Sequence, residues 1–354
     1  MSIAGDRAQG TVGMQYHLNG HRIGNPDVLP AIGPETQPVD LPSEVDVLIV
    51  GTGPAGLTLA AQLSAFPEIK IAVIEQAAGP LTHGKADGVA CRTMEMFEAF
   101  GFSAKVMREA YWVNETAFWK PEGPNIPRIV RSGRIQDVED GLSEYPHVIL
   151  NQARVHDCYL EIMQNSPNRW APYYNRRMLD LTVDVEGDAA GRSTHPVTVR
   201  IEHSEAGKTR TETVKARYVV GCDGARSNVR QAIGRQLVGD AANQAWGVMD
   251  VLAVTNFPDI RLKALIQSAS EGSVVLIPRE GGYLVRIYVE MDKLAANERV
   301  AHRNIKVDAG LELSLKVSKL EASAQAEVVE VSAQVTSVQT SNAEVASTIT
   351  NEQV

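Results

Sequence analysis

The sequence predicts an α/β fold in which a parallel β-α-β unit is followed by an antiparallel sheet. Three observations predict it. VDVLIV at 45–50 is a nearly continuous apolar run, as in strands covered on both faces; GTGPAG follows it directly at 51–56; and strand-like alternation runs through 244–291, as in VLIP and YLVRIYVEM. At ~150 residues per domain, a chain of 354 residues is one large or two ordinary domains.

The elements follow in order. Residues 1–44 read as an extended arm, because Pro26, Pro30, Pro34, Pro38 and Pro42 recur too often for helix and are awkward in strand. The folded body starts at Val45. After its first strand, a helix is expected over 54–65, with Leu57, Ala61 and Leu63 to bury, and then a second strand, IKIAVIE, ending at Glu75. Further helices are expected at 92–100 and 151–164. A strand at 214–220 runs into GCDGARSNVR, whose second half reads as helix.

From about residue 305 the composition changes to Ala, Val, Ser, Glu, Gln and Thr, with no aromatic after Tyr288 and no proline after Pro278. Val328, Val331, Val335, Val338, Asn342, Val345 and Ile349 alternate three and four apart, the spacing of a coiled-coil seam with Asn342 as a register-setting polar position. A coiled coil there would make the chain a homo-oligomer. The competing reading is a low-complexity segment of weak helix formers without a packed core.

Lys plus Arg number 34 against 43 Asp plus Glu, a net charge of −9, which argues against nucleic acid and anionic membrane as partners. Cys91, Cys158 and Cys222 form neither a CxxC pair nor an even framework, against structural zinc and a disulfide scaffold. A reducing, cytoplasmic setting is expected, since no signal peptide or long apolar span is recognised.

The chemistry starts at the glycines. Gly51, Gly53 and Gly56 follow a strand and open a helix, and Glu75 closes the next strand about 20 residues on. In that context Gly51 makes the tight turn, Gly53 lets the backbone approach a pyrophosphate, and Gly56 permits close helix packing. Glu75 binds ribose hydroxyls, and the helix N-terminus at Pro54 and Ala55 receives the phosphates. This predicts a dinucleotide site without separating FAD from NAD. Asp223 and Gly224 lie in a second strand-turn-helix segment, YVVGCDGARSNVR; alone, an Asp-Gly pair is usually just a turn.

Together, GTGPAG and GCDGARSNVR resemble the flavoprotein aromatic hydroxylases. GKADGVACRTMEMFEAFG, LSEYPHVILNQARVHD, LVGDAANQAWGVMDVLAVTNFPDIR and IPREGGYLVRIYVEMDKL narrow the likeness to the phenol 2-monooxygenase branch, over about residues 14–305. The resemblance implies a Rossmann domain of the p-hydroxybenzoate-hydroxylase-like type with an antiparallel substrate domain. FAD would be bound, NADPH a transient co-substrate, and a flavin hydroperoxide would hydroxylate a phenol or 3-hydroxybenzoate. The expected boundaries are 45–240 for the FAD-binding domain, discontinuous and carrying substrate-domain insertions, 241–304 for the substrate sheet, and 305–354 for the tail.

Carried onto matching positions, the resemblance implies that Gln76, Arg92 and Gln152 contact FAD, that Asp223 and Gly224 form the pyrophosphate-side turn, and that Asp87 and Tyr288 meet the substrate hydroxyl. Lys263 and His147 would face a substrate carboxylate. Each has a bland reading: Asp87 as a turn former before Gly88, Tyr288 as core, Lys263 as a solvated lysine, and His147 as a structural hydrogen bonder. Cys222 reads as a small buried residue and not a nucleophile.

Two departures stand out. Lys85 stands where the family usually has glutamine. After the strand carrying Tyr288 the family's second FAD motif, of the GDAAH type, is not recognised; Gly239–Ala242 and Gly187–Ala190 are decoys. The fold is therefore expected to be C-terminally incomplete, with a water-exposed flavin. The rival expectation is a non-catalytic remnant, binding FAD weakly or not at all, with an oligomerising tail.

Overall fold

The computed structural model describes residues 14–17, 20–23, 27–33, 37–82, 86–185, 193–205, 207–239 and 244–293, with the short segments 305–307 and 343–345. The chain divides into two compact units, Met1–Thr82 with Ala153–Leu237, and His83–Gln152 with Val238–Val354. The first unit begins with a hairpin, β1 (Met14–His17) against β2 (Gly20–Ile23), where the arm was expected to be merely extended. The prolines start only at Pro26, so residues 14–23 lack the residue type that disfavours strand pairing.

The main sheet of this unit contains β3 (Glu44–Val50), β4 (Ile71–Ile74), β10 (Arg176–Val183), β11 (Val197–Glu205) and β12 (Lys208–Gly221), in the order β10-β11-β12-β3-β4. The pairs β12-β3 and β3-β4 are parallel, while β10-β11-β12 is an antiparallel meander. All four residues of β4 are buried, as are Leu48 and Ile49, so both faces of the parallel strands are covered. Each such Leu or Ile contributes about 1.5–3 kcal/mol on burial. Helix α1 (Pro54–Leu63) buries Gly56, Leu57, Ala60 and Ala61. Its counterpart after β12 is a short helix, α5 (Asn228–Ala232), packed through Val229.

The second unit carries α2 (Cys91–Ala99), α3 (Ser103–Glu109) and a small sheet of β5 (Gly88–Val89), β9 (His147–Ile149) and β6 (Tyr111–Val113). Its larger sheet runs β13 (Gln244–Leu252), β16 (Leu284–Lys293), β15 (Ser273–Pro278), β14 (Lys263–Gln267), β7 (Glu115–Gly123), β8 (Ile126–Gln136). Only β14-β7 is parallel among these pairs. Residues 83–152, which interrupt the 45–240 range, thus group with the antiparallel sheet, because β7 hydrogen-bonds to β14. Helix α4 (Gln152–Asn165) starts at the junction between the units.

Of the tail, Ile305–Val307 (β17) and Ala343–Val345 (β18) pair as antiparallel strands. Val345, assigned to a helical seam by its spacing, is extended, in keeping with the β preference of a β-branched residue. The rest of the seam, Lys85, the decoy Gly187–Ala190 and all of the decoy Gly239–Ala242 except Gly239 lie outside the described residues. Among the described residues, no helix is long and apolar enough to cross a membrane.

Candidate functional site

In the first unit the glycines of the turn have different tasks. Gly51 has φ +103°, and a Cβ on it would lie 2.5 Å from the carbonyl oxygen of Cys222. A Cβ on Gly56 would lie 1.9 Å from the carbonyl oxygen of Gly51, so both positions are closed by the chain itself. Gly53 is unlike them, with φ −61° and nothing nearer to an added Cβ than 3.9 Å. It is the N-cap of α1, no side chain caps that helix, and Pro54 sits in its first turn. The amides of Ala55 and Gly56 are therefore uncapped donors for an anion, with the helix dipole behind them.

Glu75 braces this turn. Thr52 donates its amide (2.8 Å) and hydroxyl (2.9 Å) to Oε2, and Ala77 donates its amide to Oε1 at 2.9 Å. A carboxylate has about four acceptor sites, so room remains on Oε1 for a hydroxyl. Gln76 beside it is exposed. Burial, and then the Glu75 charge, push the Tyr174 hydroxyl up to about 12.

Asp223 stands in the turn after β12. Its Oδ1 accepts from Ser227 Oγ at 2.5 Å, and its Oδ2 accepts the amides of Asn228 (2.7 Å) and Val229 (3.2 Å), so the carboxylate caps α5. Ser227 adds the N-cap bond from the Arg230 amide at 2.9 Å. Gly224, at φ +78°, supplies the left-handed turn that lets Asp223 reach back. Burial, reinforced by the Asp223 charge, pushes the Cys222 thiol up, which leaves it a poor nucleophile.

In the second unit Asp87 is buried, at 6% exposure, just before β5. Arg279 donates to its Oδ2 at 2.6 Å and Arg286 donates to the same oxygen. Oδ1 is buried and has no hydrogen-bond partner among the described residues. Arg286 is also held by both oxygens of Asp250, at 2.7 Å each, and Arg279 by Glu280 at 2.8 Å. Burial is the largest influence on Asp87 and pushes its carboxyl above the usual range; Arg286 and Arg279 pull it down, while Glu280 and Asp250 add to the rise. Tyr288 lies two residues beyond Arg286 on β16, hence on the same sheet face, and is half-buried. Burial opposes the Arg286 charge, but Asp250, Asp87 and Tyr288 raise its pKa further above the ordinary value.

His147 and Lys263, the two expected carboxylate partners, come together on a residue that was not foreseen. Asp137 Oδ2 meets His147 Nδ1 at 2.8 Å, and its Oδ1 accepts from Thr116 Oγ1 at 2.9 Å and faces Lys263 Nζ at 3.6 Å. Burial alone would raise the Asp137 carboxyl, but the hydrogen bonds from His147 and Thr116 and the charges of His147 and Lys263 hold it below its ordinary value. Arg92, second in α2, has a largely exposed side chain paired with Glu95 at 2.8 Å. Gln152 is the first residue of α4.

The model of the FAD binding domain family matches residues 44–352 of this chain. The chain belongs to that family. Among curated proteins it is 64% identical over 299 residues to a 3-hydroxybenzoate 4-monooxygenase of Comamonas testosteroni, covering 83% of this chain and 46% of that protein. It is 41% identical over 251 residues to an FAD-dependent monooxygenase of Aspergillus terreus, covering 70% of this chain and 39% of the other. The chain thus spans about half the length, or less, of these relatives. Its fold is similar to that of a p-nitrophenol 4-monooxygenase from Pseudomonas putida, with TM-score 0.58, 20% identity and coverage of 72% and 60% of the two chains. The family match runs through the segment beyond about 305 that the sequence analysis sets outside the resemblance.

The glycine turn fits the cofactor that gives the family its name: an open Gly53, an uncapped helix N-terminus and a carboxylate at the end of β4 are what a pyrophosphate and an adjoining ribose need. Arg279, Arg286, Asp250 and Asp137 were missed. The signal for one of them was present, since Arg286 alternates with Tyr288 as a polar residue in the otherwise apolar LVRIYV, which places a charge on the inner face of a strand. Asp250 and Asp137 carried no such signal.

Proposed function

We propose that this chain holds FAD and hydroxylates a phenolic ring, a phenol or 3-hydroxybenzoate, at the expense of NADPH and molecular oxygen. The observation that carries the reading is the asymmetry of Asp87: one carboxylate oxygen fixed by two arginines, the other buried and open. A buried acceptor with no partner is unfavourable by about 1–3 kcal/mol, and a ligand hydroxyl would relieve it. Its raised pKa makes Asp87 a stronger base than an ordinary carboxylate, suited to taking the proton of a phenol.

FAD, when bound, supplies the redox chemistry with NADPH and oxygen. Gly51, Gly53 and Gly56 with the amides after Pro54 would take its pyrophosphate, and Glu75 its ribose. Arg92, Gln152 and Gln76 are proposed FAD contacts on the strength of the resemblance. Asp223 and Gly224 shape the neighbouring turn. Asp87 would orient the substrate hydroxyl and accept its proton, Tyr288 would share that hydroxyl, and Lys263 and His147 would hold a ring carboxylate. The high similarity to a 3-hydroxybenzoate 4-monooxygenase supports that substrate class, as does the convergence of His147 and Lys263 on Asp137.

The test is the visible spectrum after FAD loading and gel filtration, followed by product analysis with 3-hydroxybenzoate and NADPH. Retained flavin with Asp87→Asn lowering product formation about 10²–10⁴-fold is the expected result. Unchanged product formation by Asp87→Asn would remove Asp87 from the chemistry, and a colourless wild-type protein would overturn the reading as a whole.

A further inference from the structure

In the first unit, the chain beside Glu75 is fixed from outside the ligand turn. Residues 173–176 run along the end of β4: Tyr173 donates its amide to the Val73 carbonyl at 2.7 Å and accepts the Glu75 amide at 2.9 Å, and Arg176 donates its amide to the Glu75 carbonyl at 2.8 Å. Between them Asn175 has φ +58°, a left-handed conformation that costs asparagine more than glycine and persists where the surroundings impose it. Its amide donates to the Ala77 carbonyl at 2.8 Å. The segment therefore holds the backbone on both sides of Gln76, the stretch across which the Ala77 amide reaches back to Glu75 Oε1.

Arg176 anchors this segment, with a side chain only 6% exposed. Its Nε donates to Glu212 Oε2 on β12 at 2.8 Å, its Nη1 to the carbonyl of Tyr174 at 3.3 Å, and its Nη2 to the carbonyl of Val39, in the arm before β3, at 3.4 Å. The guanidinium also lies 5.3 Å from the centroid of the Tyr173 ring. Burial alone would raise the Glu212 carboxyl, but the hydrogen bond and charge of Arg176, with Arg210 and His203, hold it below its ordinary value, so the anchor is an ion pair. From this geometry we propose that Arg176 is a positioning residue of the cofactor site: it locks residues 173–175 against the end of β4, so that the Glu75 carboxylate is set for a ribose before the ligand arrives. The proposal rests on the assignment of Glu75 to the ribose of FAD and deepens it. A carboxylate that is already fixed loses little freedom on binding, whereas one on a loosened strand end must be ordered by the ligand. The effect passes through Glu75 and so vanishes when that side chain is removed.

The experiment is a double-mutant cycle on FAD affinity, read by titration of flavin fluorescence in the full chain: wild type, Arg176→Lys, Glu75→Ala and the two together. Lysine keeps a charge against Glu212 and lacks the fork that spans the Tyr174 and Val39 carbonyls. The expected result is that Arg176→Lys weakens FAD about tenfold when Glu75 is present and less than about twofold in the Glu75→Ala background. Equal losses in the two backgrounds would make Arg176 a support of the fold in general and overturn the proposal, as would an Arg176→Lys protein that binds FAD like the wild type. If Arg176→Lys fails to fold, Asn175→Gly carries the same cycle, since glycine takes φ +58° without holding the turn there; it too should weaken FAD only while Glu75 is present, and unchanged or background-independent affinity overturns the proposal. A wild-type chain that does not bind FAD overturns the functional reading itself, and a Glu75→Ala chain that binds it like the wild type overturns the ribose assignment, each taking the proposal with it.

Discussion

Exchanging Gly56 and Gly53 separately for alanine distinguishes a glycine the fold requires from one the ligand requires. At Gly56 the new Cβ would stand 1.9 Å from the Gly51 carbonyl oxygen and 3.3 Å from the Cys222 Cβ, and the first of these is backbone in a turn anchored by the Gly51 amide on Ile74. Overpacking of this kind destabilises by about 1–3 kcal/mol, and a clash with backbone belongs at the upper end. At about 2–4 °C per kcal/mol for a unit of this size, Gly56→Ala should lower Tm by roughly 6–12 °C without any FAD present. At Gly53 the extended backbone suits alanine and the nearest atom is 3.9 Å away, so Gly53→Ala should leave Tm unchanged or raise it, through about 0.4–1 kcal/mol of lost unfolded-state freedom. FAD affinity should nevertheless fall at least about tenfold, because the methyl would occupy the side from which the pyrophosphate approaches. Thermal unfolding of the flavin-free chains, paired with titration of FAD fluorescence, measures both. A Gly53→Ala protein that binds FAD as tightly as the wild type would refute the placement of the pyrophosphate.

Two further outcomes concern the second unit. Arg279→Met leaves Asp87 with Arg286 alone and removes the partner of Glu280, so it should destabilise by about 3–5 kcal/mol in urea unfolding at neutral pH; a change below about 1 kcal/mol would show that the arginine is not needed to hold the buried acids. Asp137 has a folded pKa below its unfolded value near 3.9, so its contribution is fully present above that value and is lost as pH falls through the lower, folded one. The denaturant midpoint of the wild type should therefore drop more steeply below about pH 4 than that of Asp137→Asn, and parallel acid limbs would contradict the assignment.

The parallel core and its ligand turn were readable because both are local. A Val-Leu-Ile run, a fixed glycine spacing and a terminal Glu75 lie within about 30 residues, and each property needed was intrinsic to the residue. The β7-β8 hairpin was not readable, since it carries Arg, Lys, Glu and Gly on a mostly exposed surface and lacks the alternation that marks a half-buried strand. Insertions of the substrate domain within 45–240 were expected, but their bounds were not readable, since the grouping of 83–152 with the antiparallel sheet depends on a parallel pair between β7 and β14 separated by more than a hundred positions of sequence. The capping of α5 by Asp223 was not read from the sequence: an acid a few residues before a helix can serve a ligand or the helix, and the Ser-Asn at 227–228 supplies the bonds to the helix.

The acids and arginines around Asp87 illustrate how register creates chemistry that spacing hides. Asp250 stands directly opposite Arg286 in the β13-β16 pair, and Arg286 stands opposite Ile277, two residues before Arg279, in the β15-β16 pair. Neither relation exists until the strands pair, yet together they bring two guanidinium groups to one oxygen of Asp87. Three acids face these two arginines, so one negative charge is left over in a buried place. Asp250 and Glu280, at 24% and 25% exposure, keep water; Asp87 does not, and burial pushes its carboxyl above the usual range. The carboxylate with the greatest need of a proton or a hydrogen-bond donor is thus the one whose second oxygen has none, the combination required of a group that must receive a phenol proton. Removing the arginines would raise that need further but leave the carboxylate unoriented, which is why the arginines serve position as much as charge.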